Sequence, residues 1–233
     1  AVGNTFRRLA AKIASFSVVD IAGDLLRPIQ LGFGTSHGCE AAVHAARFIL
    51  KEKNRDEEPY AFLKVDFQNA FNCVCRSTML QQCFNFLPGI FNITKLCYAK
   101  PSFLSFGDFK MTSETGIQQG DPLGPLLFCL FLLKLTNSLQ SSYNQWYLDD
   151  GAIGGKPDIV ISDFKKIISM GKEIGIEVNL MKCELISNSL EIQSQFRSNF
   201  PGIGICTYED AFLLGSPLHA NSLNKSLSSK IED

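Results

Sequence analysis

Apolar positions recur at intervals of three and four along the first quarter of the chain. Over 5–26 this spacing predicts a helix that ends before Pro28. Its apolar face consists of Phe6, Leu9, Ile13 and Phe16. A second helix is predicted over 37–53, where Ser36 can cap the first turn.

Beyond residue 60, strand-like segments alternate with helical ones. The predicted strands cover 60–66, 145–148, 152–153, 176–179 and 183–186, with a separate hairpin over 102–106 and 109–112. The predicted helices cover 69–86, 91–100, 122–140 and 157–175. The remainder after Ser187 is rich in Ser and Asn and predicts no clear element.

The order of these elements predicts an α+β fold. With 78–119 left aside, the chain runs strand, helix, strand–turn–strand, helix, strand, which is the order of a ferredoxin-like split β-α-β sheet with helices on one face. Such a sheet places the end of the first strand beside the turn of the central hairpin. We therefore expect Asp66 to lie close to Asp149 and Asp150, although they are far apart in sequence.

Composition narrows the class of protein. The chain has 233 residues, of which 45% are hydrophobic and 19% charged, so it is globular and forms one domain or two small ones. The net charge of −1 gives no whole-chain attraction for nucleic acid, although basic residues outnumber acidic ones before residue 54. The longest apolar run is too short to cross a membrane.

The eight cysteines lack the spacing of a metal site or a disulfide framework. Their mostly apolar neighbours predict buried thiols in a reducing compartment. This favours an intracellular protein of the cytoplasm or nucleus, neither secreted nor embedded in a membrane.

Two acidic segments are candidates for metal chemistry: the Asp149-Asp150 doublet, and Asp66 after the first predicted strand. Asp149-Asp150-Gly151 predicts a hairpin turn, and adjacent carboxylates repel each other unless a cation lies between them. Mg²⁺ accepts one or two carboxylates together with water and phosphate oxygens. A simple turn remains the alternative for this doublet, and a helix cap remains the alternative for Asp66.

A glycine-bearing loop precedes the most apolar helix. Over 116–125, Asp121 can cap that helix, Pro122 suits its first turn, and Gly120 allows another group to approach the backbone closely. An ordinary loop and cap is the alternative interpretation.

In combination these segments resemble one family, the reverse transcriptase domain of non-LTR (LINE-type) retrotransposon polyproteins. The resemblance covers about residues 1–217 in family order. The motifs that carry it are Gln30-Leu-Gly-Phe-Gly34, Glu40-Ala-Ala-Val-His-Ala-Ala-Arg47, Leu63-Lys-Val-Asp66-Phe-Gln-Asn-Ala-Phe71-Asn72, Gly116-Ile-Gln-Gln119-Gly-Asp-Pro-Leu-Gly-Pro-Leu-Leu127, Tyr147-Leu-Asp149-Asp150, Gly175-Ile-Glu-Val-Asn179-Leu-Met-Lys182-Cys-Glu184 and Leu213-Leu-Gly-Ser216.

The resemblance implies template-directed addition of dNTPs to a primer 3′-hydroxyl, with an RNA template and a DNA primer as partners. It implies that Asp66, Asp149 and Asp150 are catalytic and hold two Mg²⁺ ions, for which Mn²⁺ can substitute. The backbone carbonyl of Phe67 is implied as a further ligand. Two such ions activate the hydroxyl and neutralise the departing pyrophosphate.

The resemblance also assigns nucleotide-binding residues. Phe71 corresponds to a sugar gate that excludes a 2′-hydroxyl, with a core aromatic as the alternative. Gln119 and Gly120 correspond to residues near the incoming nucleotide and the template. Lys182 corresponds to a lysine near the triphosphate, with a merely exposed lysine as the alternative.

Nucleic-acid contacts are expected in the N-terminal helix. Arg7 and Arg8 are candidates for contact with template or phosphate, and a solvated helix face is the alternative.

The implied domain organisation is a polymerase palm with partial, largely helical fingers and no thumb. The fingers would comprise 1–59 and an insertion at 78–119, the palm 60–77 and 120–217, and 218–233 a tail leading to the missing thumb. Two other functions stay open: a truncated non-catalytic remnant that binds nucleic acid, and a carboxylate–metal phosphohydrolase.

Overall fold

The computed structural model of the protein describes residues 5–53 and 58–219. The α-helices in this part are α1 (Thr5–Ser17), α2 (Val19–Leu26), α3 (Gly38–Lys53), α4 (Ala70–Cys73), α5 (Arg76–Phe86), α6 (Phe91–Tyr98), α7 (Gly124–Thr136), α8 (Pro157–Ile174) and α9 (Leu190–Asn199). The strands are β1 (Ala61–Val65), β2 (Phe67–Gln68), β3 (Ser102–Phe106), β4 (Phe109–Ser113), β5 (Tyr143–Tyr147), β6 (Asp150–Gly155), β7 (Glu177–Val178), β8 (Glu184–Ile186), β9 (Gly204–Cys206), β10 (Phe212–Leu213) and β11 (Ser216–Pro217).

A five-stranded sheet in the order β5-β6-β1-β8-β9 forms the centre of the fold. Neighbours are antiparallel except for β8 and β9, which are parallel. The first four strands have the order and directions of the ferredoxin-like sheet, so the α+β fold class is confirmed. Strand β1 lies in the middle and pairs on both sides, which fixes the position of the residue that follows it.

Helices cover both faces of the sheet, whereas the sequence predicts them on one. On the first face, the core surrounds α7, which is buried along nearly its whole length, and α8 packs on β1 and β6. On the second face, Val43, Ala46 and Leu50 of α3 pack with Phe62 of β1. The sequence prediction considered only helices between strands, and α3 precedes them all.

Three predicted helices differ in extent from the observed ones. The helix predicted over 5–26 is divided at Val18 into α1 and α2, and the helix predicted over 69–86 is divided at 74–75 into α4 and α5. The second division has a tertiary cause, because the Val74 carbonyl accepts a hydrogen bond from Gly116 N at 2.9 Å. The long apolar helix begins at Gly124, so Pro125 rather than Pro122 lies in its first turn.

The apolar face predicted for the first helix is exposed. Phe6, Leu9, Ile13 and Phe16 are between 55% and 82% exposed, and Ala11 is the buried residue of α1. Helical spacing therefore identified the helix correctly but not the direction in which it buries side chains.

The cysteines are less buried than predicted. All eight are free thiols, but only Cys83, Cys129 and Cys183 are buried, and Cys73 is exposed. Apolar neighbours in sequence do not determine burial on a helix, where adjacent residues point in different directions. None of the helices over 5–53 and 58–219 has the length and apolar character needed to span a membrane. Of the predicted tail over 218–233, all but the first two residues lie outside the described part.

Candidate active site

Asp66 directly follows the central strand β1 and precedes β2. Its backbone carbonyl accepts a hydrogen bond from Asn179 N at 2.8 Å, and its own N–H lies 3.4 Å from Cys183 Sγ. Its side-chain Oδ1 is buried and has no hydrogen-bond partner. The helix-cap alternative fails, because the N-cap residue of α4 is Asn69 and this cap has no side-chain hydrogen bond. A buried carboxylate oxygen without a partner is costly, which is typical of a group that binds a ligand.

The acidic doublet lies at the turn between β5 and β6. Tyr147 pairs with Asp150, so the turn consists of Leu148 and Asp149, one residue earlier than the sequence predicts. Leu148 has a φ of +58°. Gly151 belongs to β6, where a Cβ atom would lie 2.4 Å from the Trp146 ring. The glycine is therefore required for close packing and not for the turn.

Burial and neighbouring charges raise the pKa of both carboxylates of the acidic doublet. Partial desolvation raises the pKa of Asp149, and the charge of Asp66 raises it further. Desolvation also raises the pKa of Asp150, followed by repulsion from Asp149 and Asp66. Lys64 opposes this effect only in part, since its Nζ lies 2.7 Å from Glu184 Oε2.

An open groove of about 420 Å³ lies beside these groups. Asp66, Asp150 and Lys182 line it together with Lys64 and residues 212–215, which comprise β10 and the turn after it. The structure thus brings together residues that the sequence places in three separate motifs. The convergence of Asp66 with the acidic turn, expected from the strand order, is seen in this geometry, because Val65 pairs with Gly151 and Asp66 and Asp150 line the same groove.

These residues suit a divalent cation whose remaining ligands are water and phosphate oxygens. Within the described ranges, no group of three or more His, Cys, Asp or Glu side chains is arranged to hold a metal ion. Mg²⁺ commonly takes only one or two carboxylates, with water and phosphate oxygens supplying the rest. The orphaned Asp66 Oδ1 and the mutually repelling carboxylates of Asp149 and Asp150 suit such an ion.

Phe71 packs at the start of the short helix α4. Its ring stacks on Phe128 of α7, with centroids 4.3 Å apart and an interplanar angle of 14°. The residue is only partly buried. Its carbonyl accepts a hydrogen bond from Ile117 N at 2.8 Å, which attaches the glycine-bearing loop to α4.

The glycine-bearing loop exposes two of the predicted nucleotide-binding residues. Gln119 and Gly120 are exposed, and Gly120 has a φ of +78°. Asp121 Oδ1 accepts a hydrogen bond from Leu123 N at 2.9 Å. The prediction that Asp121 caps α7 is wrong, because the N-cap residue of α7 is Leu123 and the cap has no side-chain hydrogen bond. Asp121 instead stabilises the turn that leads into the helix.

The two N-terminal arginines have different surroundings. Arg7 lies 3.3 Å from Asp121 Oδ2 and also packs over the Tyr98 ring. The Tyr98 hydroxyl donates to the same carboxylate at 2.7 Å. Arg8 is exposed. Arg7 thus has partners within the chain, and Arg8 is the more exposed of the two candidates for contact with nucleic acid.

Sequence reasoning missed two residues that organise this site. Arg76 is 7% exposed, and its guanidinium donates to Gly116 O, Ser113 O, Ser113 Oγ and Thr115 O at 2.6–3.0 Å. Gln30 is 1% exposed and contacts the acidic turn. An arginine or glutamine carries no sequence signal for burial, because both are usually exposed.

A family model described as "Reverse transcriptase (RNA-dependent DNA polymerase)" matches residues 4–217. Among curated proteins, no sequence matches the chain.

Solved telomerase structures share the fold. Telomerase from Candida albicans, in complex with the TWJ fragment of telomeric RNA, superimposes with a TM-score of 0.57 at 11% identity, covering 77% of this chain and 35% of that one. Apo telomerase from Candida tropicalis, truncated from its C-terminal domain, gives a TM-score of 0.56 at 13% identity, covering 75% of this chain and 40% of that one. The chain thus spans well under half of either structure.

Proposed function

Because the chain belongs to the reverse transcriptase family, we propose that it is the catalytic core of an RNA-directed DNA polymerase. It would add dNTPs to a primer 3′-hydroxyl as directed by an RNA template. The observation that carries this proposal is the buried, unpartnered Oδ1 of Asp66 in a groove that also contains Asp150. An enzyme of this class needs carboxylates held ready for divalent cations at one edge of its palm.

Asp66, Asp149 and Asp150 would hold two Mg²⁺ ions, or Mn²⁺ in their place, with the Phe67 carbonyl as a further ligand. Bound divalent cations would activate the primer hydroxyl and neutralise charge on the departing pyrophosphate. The protein's own contribution is to hold the carboxylates in place. Asp66 follows a strand that is paired on both sides, Asp149 lies in the turn of a hairpin, and Asp150 is the first residue of β6.

The remaining site residues would bind the nucleotide and the template. Lys182 lines the same groove as Asp66 and would contact the triphosphate. Phe71, which is only partly buried, would contact the sugar. Gln119 and Gly120, both exposed, would contact the incoming nucleotide and the template strand. Arg8 would contact nucleic-acid phosphate.

We further propose that the chain originates from a non-LTR retrotransposon. Its motifs resemble that group, which supports this origin. Residues 1–59 and 78–119 would form fingers, residues 60–77 and 120–217 the palm, and the tail over 218–233 would lead toward a thumb. The enzyme would act where its RNA template is found, in the cytoplasm or nucleus.

Primer extension tests the function. The purified chain is incubated with poly-rA/oligo-dT, dTTP and Mg²⁺, and we expect extension that requires template and metal. Asp66→Asn and Asp149→Asn should each abolish extension because each removes a metal ligand. Asp108→Asn, an exposed change in the β3–β4 turn, is the matched control and should retain it.

Several results would contradict the proposal. Template binding without extension would favour the non-catalytic remnant. Hydrolysis of a small phosphoester without template would favour the phosphohydrolase. Extension at the normal rate by Asp149→Asn would refute the assignment of the metal ligands.

A further inference from the structure

The segment 29–31 runs alongside the edge strand β5 next to the acidic turn. Trp146 N donates to Ile29 O at 2.7 Å, and Leu31 N donates to Trp146 O at 2.8 Å. The segment therefore extends the sheet by a single bridge at Gln30 and Trp146. This arrangement points the Gln30 side chain at the end of β5, where the turn begins.

The Gln30 amide makes three hydrogen bonds to backbone groups. Its Oε1 accepts from Leu148 N and from Gly32 N, both at 2.9 Å, and its Nε2 donates to Leu148 O at 3.0 Å. One side chain thus satisfies both backbone polar groups of Leu148. Because the amide is buried, its hydrogen bonds do not compete with water.

Leu148 needs such support. It is the first residue of a two-residue hairpin turn and has a φ of +58°, a conformation that such turns usually give to glycine. A bulky residue keeps this conformation only when its surroundings determine it. The Gln30 amide holds Leu148 in this conformation through its hydrogen bonds to Leu148 N and Leu148 O.

Gly32 allows the two segments to approach. A Cβ atom at position 32 would lie 2.6 Å from Leu148 N and 2.7 Å from Leu148 Cδ2. Any side chain at position 32 would therefore clash with Leu148. The hydrogen bond from the Gly32 N–H also orients the Gln30 amide, so that Oε1 rather than Nε2 faces Leu148 N.

We propose that Gln30 is a positioning residue that holds the Leu148–Asp149 turn and thereby aims the carboxylates of Asp149 and Asp150 at a divalent cation. This inference rests on the proposed function for the identity of the ion. The positioning itself depends only on contacts within the chain. Small errors in the placement of ligands weaken a site, so the supporting hydrogen bonds should matter for affinity.

Gln30→Leu tests the proposal, since leucine is similar in size and makes no hydrogen bonds. The first measurement is amide hydrogen exchange by NMR at Leu148, and the second is Mn²⁺ affinity by electron paramagnetic resonance. We expect Leu148 exchange to accelerate at least tenfold, while amides of β1 exchange as before. We expect the Mn²⁺ dissociation constant to rise at least tenfold.

Asp163→Leu is the matched control. Asp163 Oδ2 accepts hydrogen bonds from Gln140 N, Ser141 N and Ser141 Oγ at 2.6–2.8 Å, near the opposite end of β5. Its loss should lower the melting temperature without changing Mn²⁺ affinity. If Asp163→Leu weakens Mn²⁺ binding as much as Gln30→Leu does, the effect is general loosening and the proposal is wrong.

Leu148→Gly provides a rescue that a purely structural role would not predict. Glycine adopts positive φ without strain, so in the Gln30→Leu background it should restore most of the lost Mn²⁺ affinity. If Gln30→Leu alone fails to fold, the Mn²⁺ affinity of the double variant provides the test instead. Additive losses in the double variant would overturn the proposal.

The test separates this inference from the proposed function. If the unmodified chain binds no Mn²⁺, the metal assignment fails, and Leu148 exchange alone then decides the role of Gln30. Unchanged exchange in Gln30→Leu would overturn the positioning role. Accelerated exchange restricted to the turn would support it.

Discussion

The ring of Phe71 lies nearly parallel to that of Phe128, with their centroids 4.3 Å apart. The contact holds one face of Phe71 against the core and leaves the residue partly exposed. The two interpretations of Phe71 at the sequence level are therefore compatible. A ring that is fixed by stacking on one face can exclude a 2′-hydroxyl with its other parts.

Phe71→Val should admit rNTPs and lower stability at the same time. The half-buried ring should cost about 1–3 kcal/mol, less than the 3–5 kcal/mol typical of replacing a fully buried phenylalanine by alanine. Incorporation of rNTP against dNTP and thermal unfolding are measured together. Phe131→Leu, a change at a buried ring on the same helix as Phe128, controls for stability alone. If both variants leave sugar selectivity unchanged, Phe71 is only a core aromatic.

Removing a carboxylate from the acidic turn should stabilise the metal-free chain. The pKa values of Asp149 and Asp150 are raised above 3.8, so the folded state binds more protons than the unfolded state just above that pH. The free energy of unfolding therefore falls as pH rises through this range, and the penalty is complete at neutral pH. Asp149→Asn should remove up to about 1 kcal/mol of this penalty, since partial exposure screens it.

Thermal unfolding in EDTA and in Mg²⁺ checks this prediction. In EDTA at neutral pH the Asp149→Asn variant should melt above the unmodified chain, and in Mg²⁺ the order should reverse. Asp108→Asn should leave both melting temperatures unchanged. An equal response of all three proteins to Mg²⁺ would exclude a metal site at the turn.

Arg76 should hold the glycine-bearing loop in place. Its guanidinium makes four hydrogen bonds to residues 113–116, three of them to carbonyl oxygens. Arg76→Lys keeps the charge but cannot reach all these acceptors, and we expect a loss of about 2–4 kcal/mol. Denaturant unfolding measures the loss, and limited proteolysis should show earlier cleavage near residue 115. Arg8→Lys, at an exposed position, should change neither.

The two N-terminal arginines should differ in their effect on nucleic-acid binding. Arg8→Ala should reduce the salt dependence of template–primer binding by about 0.7–0.9 in the logarithmic slope, the value for one lost phosphate contact. Arg7→Ala should instead cost about 1–2 kcal/mol of stability, because it leaves the buried Asp121 without its cation. Fluorescence anisotropy across a salt series, with thermal unfolding, distinguishes the two. Equal slopes for both variants would contradict this division of roles.

The strand order and the acidic cluster could be predicted from sequence because both depend on local signals. The strand before Asp66, the hairpin at Asp149 and the helix over 157–175 each have a clear pattern and clear boundaries. Their order alone was sufficient to bring Asp66 to the acidic turn. The position of the turn was missed by one residue, because Asp-Gly usually marks the turn and here Gly151 makes room for Trp146.

The features that sequence did not predict depend on distant partners. Gln30 and Arg76 are buried because backbone groups more than a hundred residues away, or in a separate loop, accept or donate to them. Helix α9 begins at a Ser189 cap within a polar segment that gave no helical pattern. The apolar face of α1 is exposed, which no pattern within α1 itself could indicate.

The pairing of β1 also determines when the site can form. Its partners are residues 151–155 and 184–186, so both of its edges depend on segments made much later in synthesis. Contacts between residues so far apart form slowly, because a long loop must close before they gain any energy. A nascent chain therefore cannot complete the surroundings of Asp66 until Ile186 has left the ribosome. Until then the apolar residues of β1 lack their partners, and this interval is when the chain most needs protection from aggregation.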